Sequence, residues 1–156
     1  MAGLAREAPG GRSLYVSGKS IDDIPIGLRT RVTKTVSESD VYLFAGITGD
    51  LDPNHVDEEY ASKTSLGHRV AHGALIVGYT SAASTRILQD FDRPMVSVGY
   101  DRIRFLKPVF FGDTITIDYE IMGIEREKER TIAKVEVKNQ RDELVAVATH
   151  IMQLVD

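Results

Sequence analysis

Three of the four histidines fall within 18 positions, at His55, His68 and His72, and Asp50 stands five residues before His55. The residues between that aspartate and histidine, Leu51-Asp52-Pro53-Asn54, are turn-forming, so the chain folds back and brings a carboxylate and an imidazole towards one point. Such a pair binds a water, takes its proton and returns one to a substrate, general acid–base chemistry worth about 10² to 10⁴ in rate. Taken alone, the pair is also what a turn aspartate beside a satisfied surface histidine looks like. Further on, Ala71-His72-Gly73 sits where loop passes into an apolar segment. N–H groups at a helix start lack intrahelical acceptors and carry the positive end of the helix dipole. A glycine there admits close backbone approach, which suits an oxyanion hole and equally suits a tightly packed helix start.

Metal chemistry fits the same residues poorly. Asp50-x-Asp52-x-Asn54 opens like a calcium loop, but the position that needs Gly is His55 and the one that needs Glu is Ala61. His68 and His72 have the spacing of two zinc ligands on one helix face, yet Arg69 follows His68 where a zinc protease carries Glu. Gly67 just before the pair favours a loop over a helix. No metal site is expected.

Composition narrows the classes further. The 156 residues include 19 Lys and Arg against 23 Asp and Glu, a formal charge of −4, and no cysteine. That excludes a disulfide scaffold, a Cys-ligated zinc, an iron–sulfur cluster and a thiol nucleophile. A mildly acidic chain without a basic stripe is not built for nucleic acid. The opening Met1 to Arg12 mixes small residues with Arg6 and Glu7 and has no continuous apolar stretch of signal-peptide type. Gly73 to Ala83, the longest mostly apolar segment, falls short of the roughly 20 residues of a membrane span. A cytoplasmic protein without membrane partners is expected, with residues 1–26 as a partly flexible lead-in and residues 27–156 as one domain.

The elements that must position these groups are legible from patterning. Leu28 to Val36 alternates and is rich in β-formers, so it reads as a strand. Ser37-Glu38-Ser39-Asp40 resembles a capping box for a short helix that Gly46 and Gly49 should stop. A second short helix is expected over 57–63, and a long one from Gly73 to about Gln89. The first half of that long helix is apolar on nearly every side, which predicts burial within the domain. Its small residues Ala74, Gly78, Ala82 and Ala83 permit close approach of a sheet or a partner helix. Four alternating runs follow, over 97–106, 114–122, 131–138 and 144–154, with Ile115, Ile117, Tyr119 and Ile121 on one face. The order implies an α+β fold, an antiparallel sheet wrapped around one helix. Glu125 to Arg130 reads as a solvated hairpin end, and His150 in the last strand as structural.

Taken together, these residues resemble a family. Phe44-Ala45-Gly46-Ile47-Thr48-Gly49-Asp50-Leu51-Asp52-Pro53-Asn54-His55, with Ala61 six positions on, is similar to the motif of MaoC-like (R)-specific enoyl-CoA hydratases. Ala71-His72-Gly73, Arg104 to Val109 and Gly112-Asp113-Thr114 match later landmarks, so the likeness runs from about Gly27 to Leu154. It implies a single hot-dog domain, paired into a homodimer or higher homo-oligomer, acting on an acyl-CoA thioester with no cofactor beyond the CoA carried by the substrate. It also implies that Asp50 and His55 are the acid/base pair, that the Gly73 N–H binds the thioester oxygen, and that Ser81 shapes the substrate site. Two departures stand out: Asp52 where the family usually has Asn, and Asn54 where it has an aliphatic residue.

The expected reaction is reversible hydration of the C2–C3 double bond of a trans-2-enoyl-CoA. Arg102, Arg104 and Lys107, close to a strand end, are candidates for the CoA phosphates; alternation places the two arginines on one strand face, which a solvated surface explains as well. A hot-dog acyl-CoA thioesterase and a non-catalytic acyl-CoA-binding protein are the rival readings. Acyl chain length and pathway are not legible.

Overall fold

The computed structural model describes residues 18–155. Alternating apolar residues build its sheet: strand β1 (Arg29–Thr35), then β2 (Met95–Phe105), β3 (Thr114–Glu125), β4 (Arg130–Lys138) and β5 (Leu144–Leu154). All neighbours are antiparallel, in the order β1-β3-β4-β5-β2. Ile115, Ile117, Tyr119 and Ile121 of β3 are buried on one face, and Ala133, Val135 and Val137 of β4 continue the apolar layer. Burying side chains of this size stabilises by about 1.5–3 kcal/mol each, enough for the pattern to fix which face turns inward. The 3-10 turn Ile21–Asp23 precedes β1, and Ile21 and Ile24 are buried in the same core. The lead-in expected from residue 1 lies outside the described residues as far as residue 17.

Across the sheet lies α4 (Gly73–Ile87), which buries Ile76, Thr80, Ala83, Ser84 and Ile87. The result is the hot-dog arrangement expected from the sequence. One expectation needs correction. The helix is not enclosed on every side: Ala74, Gly78, Ser81 and Ala82 are exposed, because the sheet curves around one face only. Small residues score as apolar in a pattern, yet here they form the outward face.

The front of the chain forms three short helices, α1 (Glu38–Thr48), α2 (Pro53–Val56) and α3 (Glu58–Ala61). The Ser37 box is present: the Asp40 N–H donates to Ser37 Oγ at 3.1 Å and the Ser37 N–H to Asp40 Oδ2 at 2.8 Å. Gly46 does not stop α1. The helix runs on to Gly49, whose φ of 78° makes the left-handed C-cap that only the second glycine supplies. Two one-turn helices replace the turn and the longer helix expected over 57–63, each capped by an aspartate, Asp52 or Asp57. In β2 the pairing register with β5 shifts between Asp101 and Arg104, and Arg102 takes φ 54°. That bulge interrupts the alternation that had put Arg102 and Arg104 on one face.

His150 lies under this layer, 1% exposed. Its Nδ1 and Nε2 sit 2.9 Å from Tyr119 Oη and 2.8 Å from Ser97 Oγ, and its ring stacks on Tyr100 at 4.0 Å. Burial pushes its pKa down to about 4. Among the described residues no helix is long and apolar enough to cross a membrane.

Candidate active site

Asp50 follows the left-handed Gly49 that closes α1, and His55 sits on α2, so one turn carries both. Asp52 builds that turn. Its Oδ1 accepts from the Asn54 N–H at 2.9 Å and from the Asn54 side-chain amide at 2.7 Å, and its carbonyl accepts from the His55 N–H at 2.9 Å. The two departures from the family motif therefore satisfy each other: the second carboxylate caps α2, and the Asn54 amide supports that cap. The Asn54 carbonyl in turn accepts from the Val70 N–H at 3.0 Å, which docks the turn onto the segment leading into α4.

His55 is oriented by the same segment. Its Nδ1 lies 2.7 Å from the Val70 carbonyl. A carbonyl only accepts, so Nδ1 carries the proton and Nε2 is left with its lone pair for a water or a substrate. Asp50, with its side chain 53% exposed, brings a carboxylate oxygen within 4.8 Å of one ring nitrogen of His55 and one of His72. A carboxylate and an unprotonated imidazole nitrogen facing one point can hold a water, remove its proton and hand one back.

His72, and not His68, completes the cluster. It is 2% exposed, its Nε2 lies 3.0 Å from the Asp50 carbonyl, and its ring stands 3.7 Å from that of His55. The available signal was its position: histidine directly before the glycine that opens the buried helix, at a cap where Ser, Thr, Asp or Asn is usual. His68 points elsewhere, with its Nδ1 2.8 Å from Glu58 Oε1. Its hydrogen bond, with those of Arg69, holds the Glu58 carboxyl down at about 2. A metal is a poor match for Asp50, His55 and His72. The His72 Nε2 must carry a proton to donate to the Asp50 carbonyl and its Nδ1 lone pair is buried, so the accessible donors are one imidazole lone pair and one carboxylate, which suits a water.

Gly73 is the first residue of α4, and the first intrahelical bond runs from the Ile76 N–H to the His72 carbonyl at 3.2 Å. The Gly73 N–H precedes that ladder and sits at the positive end of the helix. Glycine lets the Phe105 ring lie close against the helix start: a Cβ would lie 2.6 Å from Phe105 Cε2 and would displace the ring. Gly73 and Phe105 both line an open cavity of about 320 Å³, together with Val70, Ile76, Lys107 and Val109. The Ala71 N–H to Val109 carbonyl bond, 2.8 Å, ties together two residues that line this cavity.

The remaining expected substrate residues lie apart from the cluster. Ser81 is on the exposed face of α4, eight residues beyond Gly73, about 12 Å along the axis. Arg104 is exposed at the end of β2 and donates from Nη1 to the Ile103 carbonyl at 2.7 Å. Lys107 sits at the cavity rim with Nζ 2.6 Å from Glu143 Oε1. Bonds from Asn139, Lys107 and Arg141 hold the Glu143 carboxyl down at about 2.

This geometry has counterparts. Residues 24–144 match the family model described as MaoC like domain. Over 108 residues the chain is 40% identical to an (R)-specific enoyl-CoA hydratase of Rhodospirillum rubrum, covering 69% of this chain and 72% of that protein. It is 34% identical to a 3-hydroxybutyryl-CoA dehydratase of Methylorubrum extorquens over 109 residues, 70% of this chain and 68% of the relative. Among solved structures, an unliganded R-hydratase from Pseudomonas aeruginosa superposes with a TM-score of 0.77 at 28% identity, covering 88% of this chain and 86% of that one. The chain belongs to the MaoC-like dehydratase family.

Proposed function

We infer that the protein is an (R)-specific enoyl-CoA hydratase, adding water reversibly across the C2–C3 double bond of a trans-2-enoyl-CoA. The observation that carries this reading is the lone pair on His55 Nε2, set free by the Nδ1–H bond to Val70, on a ring with a nitrogen within 4.8 Å of the Asp50 carboxylate. In the forward direction the pair holds one water. As its oxygen bonds to C3, one water proton passes to the pair, and the π electrons move onto the thioester oxygen. The Gly73 N–H meets that charge; one such donor is worth about 3–4 kcal/mol in the transition state. C2 then collects a proton from the same pair as the enolate collapses, so both new bonds form on one face. Dehydration is the reverse. The R hand follows the names of the relatives, (R)-specific enoyl-CoA hydratases among them.

Substrate binding follows from the same surfaces. The cavity beside Gly73 takes part of the thioester, and Arg104 and Lys107 are the cations near its rim for the CoA phosphates. Ser81 lies on the small-residue face of α4, which with the exposed Val96 and Val98 on the edge strand β2 suits a second copy of the chain. A homodimer would cover that apolar edge.

The test is crotonyl-CoA with purified protein. Loss of the enoyl-thioester absorbance without thiol release, and an R product on chiral analysis, is the expected outcome. Thiol release without hydration would establish thioesterase chemistry instead, and tight CoA-thioester binding without turnover would establish a binding protein.

A further inference from the structure

His72 is a buried imidazole that the reaction above does not consume, and its contacts converge on both groups that do the chemistry. Its Nε2 donates to the Asp50 carbonyl at 3.0 Å and stands 3.9 Å from Asp50 Oδ2. One face of its ring packs against His55, 3.7 Å between centroids at a tilt of 31°, and the Phe44 ring lies 4.9 Å away. It occupies the N-cap position of α4 without making a side-chain cap bond. Its Nδ1 is buried with no hydrogen-bond partner. A buried nitrogen left unpaired is costly, and a phenyl ring in the same place would avoid the cost. Packing therefore does not explain a histidine here. The Nε2–H bond to Asp50 does.

We propose that His72 is a positioning residue for the hydration reaction. It fixes the Asp50 main chain, and with it the carboxylate, while its ring sets the plane of the His55 ring so that the Asp50 carboxylate and His55 Nε2 address the same water. The proposal rests on the hydratase reading and adds a third side chain to it. Because misplacement of a reacting group raises the barrier without weakening binding, its signature is a fall in kcat at nearly constant KM.

Two substitutions separate positioning from packing. His72→Phe keeps an aromatic ring between Phe44 and His55 and removes the donor. His72→Gln gives up the ring and returns an N–H at a similar distance from the backbone. The expected result with crotonyl-CoA is a kcat at least about tenfold lower for His72→Phe, with KM changed by less than about threefold. Thermal stability of His72→Phe should be equal or higher, and His72→Gln should recover much of the lost kcat. Wild-type kcat in His72→Phe overturns the proposal, as does equal loss in both variants. A measurement on the unaltered protein stands beside these. Histidine ¹⁵N–¹H spectra should show His72 with Nε2 protonated, Nδ1 bare and the proton slow to exchange; the Nδ1–H tautomer overturns the proposal without any variant. If the wild-type chain hydrates no enoyl-CoA, the reaction reading fails, and the tautomer still decides the placement of His72.

Discussion

Acidification from pH 6.5 towards 4 should destabilise this protein through His150, mostly before its lowered carboxylates take part. The ring is 1% exposed, lies against Tyr100 and meets Tyr119 Oη and Ser97 Oγ, and burial lowers its pKa from 6.5 to about 4. The unfolded chain therefore binds a proton near pH 6.5, well before the folded chain does, so stability present above that pH is lost as the pH falls towards 4. At 1.36 kcal/mol per pH unit, the loss over this interval is about 3 kcal/mol, a large share of a typical domain's 5–15 kcal/mol. Carboxylates with lowered pKa do not confuse the window. Asp40, Glu58 and Glu143 titrate at about 2 when folded, from starting values of 3.8 to 4.5, so their contributions are lost mostly below pH 4. Urea unfolding from pH 7.5 to pH 4 would compare the wild type with His150→Phe. At pH 7.5 the variant should be less stable by about 1–3 kcal/mol, because Tyr119 Oη loses its partner in the core. Its stability should change little down to pH 4, so the two curves converge or cross. Parallel curves would refute the assignment of this acid sensitivity to His150.

Other consequences are local. Gly73→Ala keeps the N–H but sets a Cβ 2.6 Å from Phe105 Cε2, so the ring must swing out; hydratase activity should fall while melting temperature moves little, and Phe105→Ala in the same chain should restore part of the activity. Ser37→Ala removes the acceptor of the Asp40 N–H and should cost about 1 kcal/mol in urea unfolding. Asp52→Ala should cost a similar ~1 kcal/mol and also lower kcat, since α2 carries His55, whereas Asp52→Asn should be tolerated.

Patterning made much of the fold legible. The Ile115-Ile117-Tyr119-Ile121 face of β3 is buried as alternation requires, and the Ser37–Asp40 box forms because both partners lie within one turn. Asp50 and His55 come together for the same local reason: Asp52 and Pro53 fold the chain between them. What sequence could not show depends on contacts between distant segments. The acceptor for His72 is a main-chain carbonyl 22 residues away, which no local spacing reveals. The bulge at Arg102 comes from the register of β2 against β5, and the open side of α4 from the curvature of the whole sheet. Ala74 and Gly78 carry no polarity to betray which way they face.

In the proposed reaction Asp50 and His55 share one water and add it to an enoyl thioester. Steady-state hydration of crotonyl-CoA by Asp50→Asn and His55→Gln, each checked for an unchanged melting temperature, tests it most directly. In each variant kcat should be at least about 10²-fold lower. Wild-type turnover by either folded variant would contradict it.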